Sequence, residues 1–175
     1  MARLKEYNGH YCESEYEYAF IGFLEAEGWK YSSGNNIHRV TKRDVLIADD
    51  FKKFIADTNL DLTEDEVIQI YDNVRLVGAE SDFATLHKVY GWMVNGVQFT
   101  PQDGLPRMIP LIEFDNWDKN IFRVVNQFTV EYTNNGQKEN RRPDVLLFVN
   151  GIPLCVIELK NPADANATIY DAWEQ

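Results

Sequence analysis

Apolar and polar positions change rhythm about halfway along the chain. From Ser14 to Glu27 the apolar residues Tyr16, Ala19, Phe20, Phe23 and Leu24 recur at helical spacing. Ser14 with Glu17 three residues on has the form of a capping box, and Gly28 suits the helix stop. Trp29-Lys30-Tyr31 predicts the start of a short strand. Residues 41–91 predict a helical segment. It opens with a helix over 44–56 that presents Val45, Phe51 and Ile55. A second follows the Thr63-Glu64-Asp65-Glu66 capping box, with Val67, Ile70, Tyr71 and Val74 on one side. A third is capped by Ser81 and bears Phe83, Leu86, Val89 and Tyr90.

After Gly91 the period falls to two. Trp92 to Phe99 reads as a strand or as a hairpin about Asn95-Gly96, and a proline-containing loop covers Pro101 to Pro110. Strand-like runs follow: LIEF, IFRVV continuing into NQFTVEY, VLLFV and LCVIELK. Asn134-Asn135-Gly136 and Asn150-Gly151 supply turns between them. A helical first half and a β-rich second half, without repeat or linker, predict one α/β (α+β) domain over 1–175. Its parts are a loose lead-in at 1–12, the helical segment at 41–91, a β-rich core at 92–162 and a helix at 168–175 cut short after about two turns. Such an end predicts a fragment of something longer.

Composition adds bounds. The 175 residues are 45% hydrophobic and 26% charged, an ordinary globular balance. The sequence has no apolar run of membrane-spanning length and no secretory leader, and its two cysteines, Cys12 and Cys155, lie far apart. A reduced, cytoplasmic setting is expected, with Cys155 a small buried hydrophobe. The net charge of −11 opposes nucleic-acid binding in general. It is unevenly spread. Residues 49–66 hold seven acids against Lys52 and Lys53, whereas Lys138, Arg141 and Arg142 outnumber Glu139. Those three cations are the candidate DNA contacts.

The candidate chemistry lies in Arg142-Pro143-Asp144, VLLFVNGIPLCVI and Glu158-Leu159-Lys160. Burying three ionisable groups among apolar strands costs free energy unless they pair or bind a metal. Two carboxylates suffice for magnesium, which keeps several waters, and an adjacent lysine can hold the attacking water or stabilise charge. Glu158 and Lys160 share a strand face. Asp144 joins them only if the turn adds a residue. A three-residue loop, Val149-Asn150-Gly151, with Gly151 in a left-handed bulge, does so; a two-residue turn sends Asp144 to the other face. The three-residue loop is the expectation. Glu-Leu-Lys alone is commonplace as a solvated strand end. His10, His38 and His87 show no triad spacing.

The flanking residues make the pattern specific. Asn126-Gln127-Phe128-Thr129-Val130, Arg142-Pro143-Asp144, Asn150-Gly151-Ile152-Pro153-Leu154 and Ile157-Glu158-Leu159-Lys160-Asn161-Pro162 resemble the N-terminal nuclease domain of the type I restriction enzyme R (motor) subunit, of the PD-(D/E)xK nuclease superfamily. Residues 41–91 match less well and read as a variable insertion. The resemblance implies a restriction-endonuclease-like mixed central β-sheet flanked by helices, and a magnesium-dependent endonuclease acting on foreign double-stranded DNA. It implies Asp144 and Glu158 as metal ligands and Lys160 as the catalytic lysine. Glu17 is the candidate for the acid that relatives carry on the first helix. Gln175 is the candidate for the glutamine of an accessory Gln-x-x-x-Tyr element whose tyrosine lies past the end of the chain, so the chain alone is not expected to hold a whole site. With no GxxxxGK[ST] loop in the sequence, ATP is implied only for the full-length motor subunit. Modification and specificity subunits are the implied partners. A catalytically idle nuclease fold used for assembly or DNA docking, and a nuclease module of another DNA-processing enzyme, are the competing readings.

Overall fold

The structure, a computed structural model, describes residues 13–77, 82–102, 104–134 and 136–159. The expected lead-in (1–12), Cys12, Ser81, Lys160, the short helix at 168–175 and Gln175 lie outside them. The chain divides into two compact units. One comprises Met1–Ile37, Arg123–Leu147 and Leu154–Gln175; the other comprises His38–Phe122 and Phe148–Pro153.

The first unit holds helix α1 (Glu13–Ala26), strand β1 (Lys30–Ser33) and most of β4 (Phe122–Asn126), β7 (Val145–Val149) and β8 (Ile152–Ile157), whose turn ends at Phe148–Pro153 count with the second; the sheet order is β1-β4-β7-β8. β1 and β4 run parallel, with Lys30 beside Arg123 and Ser33 beside Asn126. β7 and β8 are joined by two residues, so they run antiparallel and the sheet is mixed, as expected. Ile21 and Leu24 of α1 pack on Val124 and Val145, flanked by Phe20, Trp29, Tyr31, Leu147 and Ile157.

The extent of α1 matches the expectation, and Gly28 (φ +92) follows its end. Its orientation matches only in part, since Phe20 and Leu24 of the expected face pack inward. The buried stripe is Glu17, Ile21 and Leu24, while Tyr16 and Phe23 are exposed. Ser14 lies within the first turn, and Glu17 bonds across to β4 rather than reaching back along the helix. Cys155 is exposed, not buried, and Leu154 and Val156 beside it are also open. β8 is the last strand in the sheet order.

The second unit gathers α2 (Ala48–Thr58), α3 (Glu64–Arg75), α4 (Asp82–Asn95) and the small antiparallel pair β2 (Val97–Phe99) and β3 (Arg107–Ile109). Phe51, Phe54 and Ile55 of α2 meet Val67, Ile70, Tyr71 and Val74 of α3 in one core with Val97, Phe99, Ile109, Ile121 and Ile152. Each fully buried side chain of this size contributes about 1.5–3 kcal/mol. The Thr63 capping box forms as expected, with Glu66 N donating to Thr63 Oγ1 and Thr63 N donating to Glu66 Oε2. Glu66 Oε1 also accepts from Gln102 N, so the same carboxylate pins a distant loop.

Several expectations fail in this unit. Trp92 to Asn95 continue α4, and Gly96 ends that helix by donating its amide to Trp92 O at 2.8 Å, so only Val97–Phe99 is strand. LIEF is irregular, and Arg107–Ile109 pairs as a strand inside the expected loop. Most large apolar side chains of α4 are exposed, Phe83 by 79% and Leu86 by 68%, while Trp92 packs against the core. Among the described residues, no helix is long and apolar enough to cross a membrane.

Candidate functional site

Asp144 stands immediately before β7, half-buried, and Glu158 immediately after β8, half-buried. The turn between these strands departs from the expected three-residue loop. Val149 ends β7, and Asn150 (φ +52) and Gly151 (φ +76) both lie in the left-handed region, as a two-residue type I′ turn requires. A Cβ on Gly151 would lie 2.3 Å from Ile47 O, so no larger residue fits.

This turn pairs Val149 with Ile152. Continued without interruption, the pairing sets Asp144 opposite Ile157 and sends Glu158 to the other face. Ile157 packs in the same cluster as Val145 and Leu147, and Leu154, Cys155 and Val156 are exposed in succession. The expected three-residue loop is not formed, so the turn does not by itself bring Asp144 to the face of Glu158.

A hydrogen bond ties the two ends together. Leu159 N donates to Asp144 Oδ2 at 2.7 Å, which fixes the aspartate against the residue that follows Glu158. Lys160, next along, lies outside the described residues, as does Gln175.

Glu17 belongs to a separate buried cluster. Its Oε1 accepts from Asn126 Nδ2 at 2.6 Å, and Asn126 Oδ1 accepts from the Tyr31 hydroxyl at 3.0 Å. Asn126 is 1% exposed and Glu17 8%. Burial first, then the nearby Tyr18 and Glu17, push the Tyr31 hydroxyl above its ordinary pKa, against the bond to Asn126. The residue after Asn126, Gln127, has φ +56, an uncommon conformation for a non-glycine residue and one associated with functional sites. Among the described residues no three His, Cys, Asp or Glu side chains are close enough to hold a metal ion together. Asp144 and Glu158 stand next to the start of β7 and the end of β8.

Sequence reasoning read Asn126 only as part of a motif and missed Tyr31. The available signal was a polar amide closing a strand that is otherwise apolar. Lys138, Arg141 and Arg142 are all exposed, on or beside strand β6 (Gln137–Arg141), which pairs with β5 (Val130–Asn134).

The model of the type I restriction enzyme R protein N terminus matches residues 11–175. The chain is 35% identical, over 167 residues, to a putative type I restriction enzyme MjaIXP endonuclease subunit of Methanocaldococcus jannaschii. It is 29% identical, over 177 residues, to the type I restriction enzyme HindI endonuclease subunit of Haemophilus influenzae. These alignments cover 90% and 93% of the chain but 16% of each relative.

Proposed function

Because the chain belongs to the family of type I restriction enzyme R protein N termini, we propose that it is the DNA-cleaving part of such an enzyme, hydrolysing phosphodiester bonds of foreign duplex DNA with a magnesium ion. The observation that carries this reading is the Leu159 N to Asp144 Oδ2 bond, which holds one carboxylate beside the Glu158-Leu159 segment.

The donor set fits magnesium. Asp144 spends one oxygen on a backbone amide and keeps the other for a cation, and Glu158 adds a second carboxylate. When bound, the ion lowers the pKa of its water and neutralises charge on the phosphate. Asp144 and Glu158 hold and orient it; Lys160 donates from its ammonium group to the phosphate or to the attacking water. Glu17, already committed through Oε1 to Asn126, acts in this reading as a buried anchor of α1 on β4. The chain spans about one sixth of its relatives' length. ATP-driven translocation, sequence recognition and methylation are therefore assigned to the rest of the subunit and to modification and specificity subunits.

The test is magnesium-dependent nicking of supercoiled plasmid, by the chain alone and by the longer subunit with its partners. Asp144→Ala and Lys160→Ala are expected to lose at least about a hundredfold in rate, the scale of a lost metal contact or a lost charge stabiliser. Undiminished cleavage by both variants in the complex refutes the assignment.

A further inference from the structure

Strands β5 and β6 form a two-stranded antiparallel sheet of their own. Their register pairs Val130 with Arg141, Tyr132 with Glu139 and Asn134 with Gln137, which sets those six residues on one face. Glu131 opposite Asn140, and Thr133 opposite Lys138, make the other face.

The first face is closed on itself. The Tyr132 hydroxyl donates to Glu139 Oε2 at 2.5 Å, and Asn134 Nδ2 donates to Glu139 Oε1 at 3.0 Å. The Arg141 guanidinium lies over the Tyr132 ring, 5.8 Å from its centroid, and its Nε donates to the same hydroxyl at 3.3 Å. The second face has another character. Lys138, Asn140 and Thr133 are exposed, and so is Arg142, the next residue after β6. The three cations that look alike in the sequence are thus divided: Arg141 braces the ribbon, while Lys138 and Arg142 are presented to solvent.

We propose that the β5–β6 ribbon is a duplex-DNA-binding arm, with Lys138, Asn140 and Arg142 set against the sugar-phosphate backbone and the Tyr132-Glu139-Arg141 face holding it rigid. This rests on the reading of Asp144 and Glu158 as a phosphodiester-cleaving site. Charge supports it. The chain has a net charge of −11, yet the proposed face with its continuation carries Lys138 and Arg142 against Glu131, so a polyanion is attracted here. Dimensions support it as well. Five-residue strands give a ribbon about 17 Å long, and a two-stranded ribbon fits a major groove about 12 Å wide. Only Pro143 separates Arg142 from Asp144, and its ring fixes the local backbone. A phosphate held at Arg142 is therefore delivered beside the proposed cleavage site.

The test is fluorescence anisotropy of a labelled duplex titrated with the chain in EDTA across a salt series. The double variant Lys138→Ala/Arg142→Ala is expected to bind roughly tenfold more weakly at low salt and to lose about two units from the slope of log affinity against log salt, near 0.9 for each phosphate contact. Arg141→Ala is expected to leave that slope in place. The inference is overturned if the double variant keeps the affinity and slope of the wild type, if Arg141→Ala removes as much slope, or if the wild type fails to bind duplex. Asp144→Ala separates the two readings. Loss of cleavage in Asp144→Ala with ribbon variants that bind normally sinks the arm alone; undiminished cleavage in Asp144→Ala with ribbon variants that lose binding sinks the hydrolytic site alone.

Discussion

Asp144 accepts the backbone amide of Leu159 at 2.7 Å, so one side chain joins the entry of β7 to the exit of β8. That bond and the proposed metal charge can be separated by mutation. Asp144→Asn keeps an oxygen for the Leu159 amide and loses the charge. It is expected to melt within about 0.5 kcal/mol of the wild type and to stop cleaving; Asp144→Ala leaves the amide without its partner and costs about 1 kcal/mol more. Thermal unfolding beside plasmid nicking reads both effects. Wild-type cleavage by Asp144→Asn shows that the charge is not needed.

Asn126 serves two partners at once, Glu17 and Tyr31, and is almost wholly buried. Asn126→Ala strands a carboxylate and a hydroxyl inside the first unit, at an expected cost of about 2–4 kcal/mol. Glu17→Gln keeps an oxygen for Asn126 and is expected to cost far less. Chemical denaturation of the two variants measures the difference. Equal losses mean that the carboxylate charge, rather than the hydrogen bond, holds α1.

Asn150 is fully buried and makes three side-chain bonds: Oδ1 accepts from Ile121 N, while Nδ2 donates to Leu111 O and to Asn120 Oδ1. Asn150→Asp replaces the donor by an acceptor facing two other acceptors. The expected loss is about 3 kcal/mol or more, partly recovered as the pH is lowered and the new carboxyl protonates. An unfolding curve that matches the wild type at neutral pH contradicts this account.

Asp44 and Arg75 form an ion pair at 2.7 Å between α3 and the segment before α2. Burial by itself raises the Asp44 pKa. The bond to Arg75, the Thr41 amide and the Arg75 charge outweigh it and hold the carboxyl below its ordinary value. A depressed folded pKa contributes stability that is fully present above the unfolded value, near 4, and is lost as pH falls through the folded one. The unfolding midpoint should therefore hold down to about pH 4–5 and drop below it. Arg75→Met should lower the neutral plateau by about 2 kcal/mol and flatten the acid limb. An acid limb of unchanged depth in that variant rules out this pair as its source.

Local signals were legible where the interaction that makes an element lies within the element. Thr63 and Glu66 are one helical turn apart, so their reciprocal bonds need nothing beyond α3. The length of α1 was legible for the same reason, but its rotation was not. Tyr16 and Phe23 offered an apolar stripe as good as Ile21 and Leu24, and the choice fell to Asn126, which gives Glu17 a buried partner 109 positions away. Gly96 suits a hairpin turn and a helix stop equally, and only the helix that precedes it decides between them. LIEF looked like a strand because its side chains are apolar. Asn120 and Asn150 instead take up the backbone groups of Leu111 and Glu113 that a ladder would have used.

The sequence by itself determined the family, several of the strands and the capped helix α3, and it singled out Asp144, Glu158 and Lys160 as candidates, because motifs, caps and periods are written in near neighbours. Tertiary structure decided which faces are covered and which residues meet. It made the β7–β8 turn two residues long, exposed Cys155 and buried Glu17. It also set Arg141 against the Tyr132 ring and left Lys138 and Arg142 exposed. Each of these outcomes depends on a partner from a distant part of the chain, or on the lack of one, and no local period encodes that.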